Sequence, residues 1–350
     1  MQDIHLIKLF LLTSLAFVFT ISWTPLYTHF LYKYKLGKKI RSSGDTPLYT
    51  KMHAHKTGTP TMGGVLIWFT VLFFALFFFY LAKLFPGGFI EDLNFLNRPQ
   101  TLLPLGALVA SAIIGLFDDY LDVREKGVRG GGGLSVGHRL LIYTFIAAVG
   151  ALWFYFKLGW DLFHVPFLGN FTLGWSYILL FIFVIVATSF SVNEADGLDG
   201  LAGGVLLFSF AAYAVISFSL GKYDLATFCG VIAGALLAFL WFNVIPARFY
   251  MGDTGAMSLG VTLGIIAMLT NTVFILPIIG FVLVLESLSV IIQIISKKFR
   301  GGKKVFLSAP IHHHFEAKGW SEPKIVFRIW IVSGITAVIG LMVFLLDHTI

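Results

Sequence analysis

Stretches of about 20 apolar residues recur along the whole chain, the length a helix needs to cross a hydrocarbon core of about 30 Å. With 57% hydrophobic residues, 12% charged residues and 37 Phe, a soluble fold has too little interior to hide this surface. Leu66–Leu81 and Ile178–Ala187 are apolar on every side, which excludes the short alternating strands of a β-barrel. The fold class is therefore all-α, a polytopic membrane protein forming a single integral-membrane domain over residues 1–350. About ten transmembrane helices are predicted: Ile7–Phe30, Met62–Leu84, Thr101–Phe117, Leu140–Phe156, Leu173–Val192, Leu201–Leu220, Leu225–Ile245, Ala256–Thr272, Val273–Ile295 and Ile325–Leu346. Pro277 and Gly280 are positioned to bend the ninth.

Numbered in order, the odd loops hold 20 of the 25 Lys and Arg. The positive-inside rule makes those loops cytoplasmic and both termini periplasmic. The basic excess is thus a topology signal, and no nucleic-acid partner is expected. The polar start of the chain lacks a cluster of positive charge and a small-residue cleavage site, so the first apolar run reads as a retained span. Cys229, alone, excludes an internal disulfide.

The acids are as unevenly placed as the bases. Asp118 and Asp119 end the third span, Asp196 and Asp199 begin the sixth, and Asp253 precedes the eighth. One acid at a span end is only a charge leaving the hydrocarbon, whereas five on one face point to a site. Hard oxygen ligands suit Mg²⁺, which binds through one or two carboxylates plus substrate phosphates. Asp196 and Asp199 are one helical turn apart between glycines that allow close approach to a ligand. Asp253 also sits between glycines, before a helix whose N–H groups could receive a phosphate.

His312-His313-His314 follows Pro310 in the last basic loop. Consecutive His residues rarely converge on one metal ion, so hydrogen bonding to anionic substrate groups beside Lys297, Lys298, Arg300, Lys303 and Lys304 fits better. Those bases are read equally well as topology signal and contacts with membrane lipid. Glu286, within an apolar span, is either functional or a structural partner at a helix break.

Lys56-Thr57-Gly58-Thr59-Pro60-Thr61-Met62-Gly63-Gly64, Phe117-Asp118-Asp119-Tyr120, Asp196-Gly197-Leu198-Asp199-Gly200-Leu201-Ala202, Trp241-Phe242-Asn243, Met251-Gly252-Asp253-Thr254-Gly255 and Ala309-Pro310-Ile311-His312-His313-His314-Phe315-Glu316 resemble the signatures of the phospho-N-acetylmuramoyl-pentapeptide transferases. The aspartate motifs belong to the wider polyprenyl-phosphate sugar-1-phosphate transferase superfamily, and the triple-His motif to this branch. The resemblance runs from about Gly37 to Arg328. It implies a homodimer with ten spans and a cytoplasmic active-site cleft in the bacterial inner membrane. It further implies UDP-MurNAc-pentapeptide as donor, undecaprenyl phosphate as acceptor, and lipid I and UMP as products. By motif match, Asp253 would bind Mg²⁺, Asp118 would be the acid/base for the carrier phosphate with Asp119 beside it, and His313 would join them. Lys56, Thr61, Asn193, Asp196, Asp199 and Asn243 would bind substrate. Tyr250 stands where the family stacks Phe on uracil, and His312, His313 and His314 would hold the donor's phosphate or sugar.

Three positions depart from the pattern. Asp122 replaces a Lys, whose bond to phosphate is then either missing or supplied by Arg124 or Lys126; Phe190-Ser191-Val192 precedes Asn193 where the family begins with Asn; and glycines lengthen the loop before Leu134-Ser135. The alternatives are a related transferase using another UDP-N-acetylhexosamine, against which the triple-His segment argues, and an ion-coupled transporter. The transporter reading would need intramembrane acids, and only Glu286 is read as one.

Overall fold

The computed structural model describes residues 2–37, 58–98, 100–124 and 133–349. Its elements are α1 (Gln2–Lys33), α2 (Val65–Leu84), the short α3 (Phe89–Asp92), α4 (Leu102–Val123), α5 (Val136–Leu152, prolonged by a π turn over Trp153–Lys157), strands β1 (Leu162–Val165) and β2 (Gly169–Thr172), α6 (Ser176–Ala195), α7 (Leu201–Ser219), α8 (Tyr223–Asn243), α9 (Gly252–Leu269), the single turn α10 (Leu276–Ile279), α11 (Phe281–Phe299), the short α12 (Ile311–Ala317) and α13 (Glu322–Thr349). Among the described residues nine helices are long and apolar enough to cross a membrane: α1, α2, α4, α5 with its π turn, α6, α7, α8, α9 and α13. The chain is a multi-pass membrane protein.

The ninth predicted span is where structure and expectation differ. It breaks at Gly280 into α10 and α11. α11 buries Glu286, Ser289, Gln293 and Ser296, at alternating spacings of three and four, and exposes Leu285, Leu288, Ile292 and Ile295. This amphipathicity is inverted for a soluble protein and suits a helix with its apolar face towards lipid. The polar face binds backbone: Gln293 donates to Phe306 O and accepts from the N–H groups of Val305 and Phe306, while Ser296 donates to Lys303 O. α11 thereby holds the loop that leads to the His motif.

α9 is buried along its entire length and packs against α4 and α6, with α8 packed against α1 and α7. The α4–α9 approach depends on Gly115, where an added Cβ would lie 2.4 Å from Asp253 O. At one end of the bundle, Lys8 Nζ donates to Asp224 Oδ1 (2.7 Å) and Asn94 O (2.6 Å), joining the starts of α1 and α8. At the same end the antiparallel β1–β2 hairpin, in register Phe163↔Phe171, is tied to α13 by His164 Nε2–Asp347 Oδ2 at 2.6 Å. The loops carrying the motif acids gather at the other end.

Candidate active site

Successive residues on a helix point about 100° apart, so Asp118 and Asp119 at the end of α4 face different neighbours. Asp118 is fully buried. Its Oδ1 accepts the N–H of Leu134, and its Oδ2 accepts Arg139 Nε at 2.8 Å. Arg139 lies in the opening turn of α5, which Ser135 caps by accepting the N–H of His138. The same guanidinium donates through Nη2 to Asp253 Oδ2 at 2.7 Å and through Nη1 to Asn193 Oδ1 at 3.2 Å. Asn193 Nδ2 donates in turn to Asp253 Oδ1 at 2.6 Å. Four helices, α4, α5, α6 and α9, thus meet at one charged knot. Asp118, Asn193 and Asp253 are expected here from their motifs. Arg139 is the addition, since in the sequence it reads only as a topology charge.

Asp119, buried on the other side of α4, accepts the N–H groups of Asp253 and Thr254, each at 3.0 Å, and the hydroxyl of Thr61 at 3.2 Å. Asp196 accepts the N–H of Gly252 at 3.2 Å. The N–H groups that open α9, expected to receive a phosphate, are therefore taken by carboxylates of the protein, where the helix dipole favours negative charge. Thr61 is brought there by backbone pairing: Tyr250 N–H donates to Pro60 O and Gly63 N–H to Tyr250 O, both at 2.8 Å. Tyr250 stands half-buried on this segment.

Asp199 and Asn243 stitch loops together. Asp199 Oδ2 accepts the N–H of Ala247 at 3.1 Å, and its own N–H donates to Glu322 Oε1 at 3.0 Å. Asn243 accepts the N–H of Gly200 at 3.0 Å and donates to Phe249 O at 2.8 Å. Asp122, one turn beyond Asp118, is buried rather than turned to water. Arg124 spreads over the Tyr120 ring with its guanidinium carbon 5.4 Å from the centroid. Lys56 and Lys126 lie outside the described residues.

The three His residues divide their work. His312 is fully buried, and its Nδ1 lies 2.8 Å from Glu286 Oε2, itself fully buried. Glu286 therefore belongs to the site end of the bundle, an inference supported by the Ser191–Ser287 hydroxyl contact of 2.9 Å near the end of α6. The far side of the His312 ring abuts Gly197, where a Cβ would meet Nε2 at 2.3 Å. The expected approach of a ligand to this glycine is replaced by an approach of the protein's own imidazole. His313 pairs with Glu316 one turn on. His314 Nδ1 accepts the N–H of Leu307 at 3.1 Å, and burial, then neighbouring Lys318, holds its pKa below the usual imidazole value.

Among the described residues no three His, Cys, Asp or Glu side chains form a group able to hold a metal ion by themselves. The two carboxylates and one amide oxygen that converge on Arg139 are nonetheless the hard donors Mg²⁺ takes, and Mg²⁺ draws its remaining ligands from water and phosphate. Asp253, with Asp118, is the group that fits. On the face of α4 turned away from Asp118, an apolar cavity of about 650 Å³ opens between α1, α2 and α4, lined by Tyr27, Met62, Trp68, Phe117, Tyr120 and Arg124 among others.

Residues 101–271 match the family described as Glycosyl transferase family 4. The chain is 38% identical over 344 residues to the phospho-N-acetylmuramoyl-pentapeptide-transferase of Chloroflexus aggregans, covering 95% of this chain and 88% of that one. It is 39% identical over 334 residues to the protein of the same name from a Geobacillus species (94% and 95%), and 36% identical over 331 residues to that of Listeria monocytogenes (94% and 96%). At this identity over nearly the full length, the chain belongs to the phospho-N-acetylmuramoyl-pentapeptide-transferase family.

Proposed function

We propose that the chain transfers phospho-MurNAc-pentapeptide from UDP-MurNAc-pentapeptide to undecaprenyl phosphate, giving lipid I and UMP, at the cytoplasmic face of a bacterial inner membrane. The observation that carries this reading is the convergence of Asp118, Arg139, Asn193 and Asp253 from four helices at one end of a bundle of apolar spans. Phosphoryl transfer between two anions asks chiefly for neutralised charge and alignment. Mg²⁺ held by Asp253 would supply charge neutralisation for the donor pyrophosphate.

The protein's own groups do the rest. Asn193, with Asp196 on the adjoining loop, fixes the nucleotide side of the donor, and Tyr250 offers a ring to uracil. An oxygen of the carrier phosphate attacks the phosphorus bonded to the sugar, and the bond from that phosphorus to UMP breaks. Asp118 takes the proton from the carrier phosphate, either directly or after a covalent aspartyl-phosphate step. His313, set by Glu316, meets the donor's phosphate or sugar. Asp119, Asp199 and Asn243 act on this chemistry through the loops they hold, whatever contact they also make with substrate. The cavity between α1, α2 and α4 accepts the first isoprenoid units of the acceptor, keeping the apolar tail in lipid contact across α4 from the charged knot. Two copies form the functional unit.

Purified protein given UDP-MurNAc-pentapeptide labelled in its peptide, undecaprenyl phosphate and Mg²⁺ should move label into an organic-extractable lipid and release UMP in equal amount. Transfer from UDP-N-acetylglucosamine in preference to this donor would instead assign the related hexosamine activity. Accumulation of solute in vesicles without labelled lipid would assign transport.

A further inference from the structure

Two carboxylate oxygens and one amide oxygen aimed at a common centre are the ligand set of a hard cation. Here the centre holds the Arg139 guanidinium, hydrogen-bonded to Asp118 Oδ2, Asp253 Oδ2 and Asn193 Oδ1 at 2.8, 2.7 and 3.2 Å. Both oxygens of Asp253 are engaged, since Oδ1 accepts from Asn193. Each oxygen of Asp253 has a lone pair left, but a second cation beside the guanidinium is repelled, so a metal ion gains Asp253 fully only when Arg139 moves off it. Arg139 also lies in the opening turn of α5, where a base opposes the helix dipole and is favoured only by nearby anions.

We propose that Arg139 is a resident counter-ion, a positioning residue that holds the metal's place in the substrate-free protein and yields it when donor pyrophosphate arrives. This rests on the reading of Asp253 as the metal ligand. The guanidinium keeps Asp118 and Asp253 at one centre despite their mutual repulsion, and its side chain, 19% exposed, has access to an incoming phosphate. Its planar fork matches phosphate as well as carboxylate. Metal and donor then bind together, because the pyrophosphate that draws Arg139 away also supplies oxygens to the metal. A metal ion alone binds weakly.

The test is Mn²⁺ titration, followed by electron paramagnetic resonance, of the purified full-length protein in lipid nanodiscs without substrate. Arg139→Gln should bind Mn²⁺ about tenfold more tightly than wild type, the scale set by removing one nearby like charge at a partly exposed site. Without metal it should unfold at a lower temperature, and Mn²⁺ should restore it. Arg139→Lys, whose ammonium is a single point charge that cannot span three acceptors, should fall between and serves if the Gln variant does not fold. Adding Asp253→Asn to Arg139→Gln should abolish the tight binding. If Asp253→Asn alone binds Mn²⁺ more weakly than wild type while both Arg139 variants bind it no better than wild type, Arg139 is a brace and the proposal is overturned with the metal site intact. If Asp253→Asn binds as wild type does, the metal site lies elsewhere and the underlying reading fails first.

Discussion

Asp119 is the acid whose expected and observed surroundings differ most, and Asp119→Ala separates a structural from a chemical role. Its carboxylate, 1% exposed, accepts two N–H groups at the start of α9 at 3.0 Å and the Thr61 hydroxyl at 3.2 Å. Truncation leaves two buried donors without an acceptor, at about 1–3 kcal/mol each. It also removes a negative charge from a helix N-terminus, a further loss of about 0.5–1 kcal/mol. Water entering the space offsets part of this, leaving a destabilisation of about 3–5 kcal/mol. Asp119→Asn keeps one acceptor oxygen and turns its amide nitrogen towards the other donor, so about 1–3 kcal/mol is expected. Thermal unfolding of the purified protein, followed by Trp fluorescence, should fall in the order wild type, Asn, Ala. Transfer activity should fall in the same order, because Asp253 sits on the backbone that Asp119 anchors. A fully inactive Asp119→Ala protein that unfolds at the wild-type temperature would falsify this reasoning and place Asp119 against substrate.

Gly197→Ala should destabilise by about 2 kcal/mol, the scale of overpacking, because the new Cβ meets a His312 ring that Glu286 holds in place; in a His312→Ala background, which itself leaves buried Glu286 unpaired, the further drop in unfolding temperature caused by Gly197→Ala should largely vanish, and an undiminished drop would refute the clash. Asp122→Lys should be tolerated and lower the Mg²⁺ needed for half-maximal transfer, since it relieves repulsion one turn from Asp118; an unchanged titration would make Asp122 a bystander. His314 has a lowered pKa, so its neutral form is favoured in the fold and its contribution is complete above the ordinary His value. That contribution is lost as pH falls from there through the lowered folded value, because the unfolded chain takes up the proton first. The protection of the Leu307 N–H, its exchange rate relative to the intrinsic rate at the same pH, should accordingly fall on going from neutral pH to about pH 5 in wild type and be low throughout in His314→Ala.

The spans and the clustering of acids are legible in the sequence because they depend on patterns that solvent enforces: lipid demands long apolar runs, and charges collect where the runs end. What each acid does is less legible. Asp118 and Asp119 read as one motif, yet the helix turns them onto different partners, one towards Arg139 and one towards the start of α9. Asp199 and Asn243 carry motif identity but spend their hydrogen bonds on loop backbone, which no spacing reveals. Arg139 is hidden among charges that explain topology. A signal exists, since Ser135 marks a helix start and puts a base in the turn where the dipole disfavours it. The polar face of α11 likewise stands at spacings of three and four within a run read as an apolar span in which Glu286 alone is singled out. The pairing of Glu286 with His312 joins residues 26 positions apart, a contact only the folded chain displays.

The most direct test of a phosphotransfer site at this knot is a structure of the protein with UDP-MurNAc-pentapeptide and Mg²⁺. The pyrophosphate is expected between Asp118, Asn193 and Asp253, with the metal on Asp253 and the Arg139 guanidinium turned from that carboxylate to phosphate oxygen. A pyrophosphate bound away from these residues, with the hydrogen bonds of Arg139 to Asp118 and Asp253 unchanged, would contradict it.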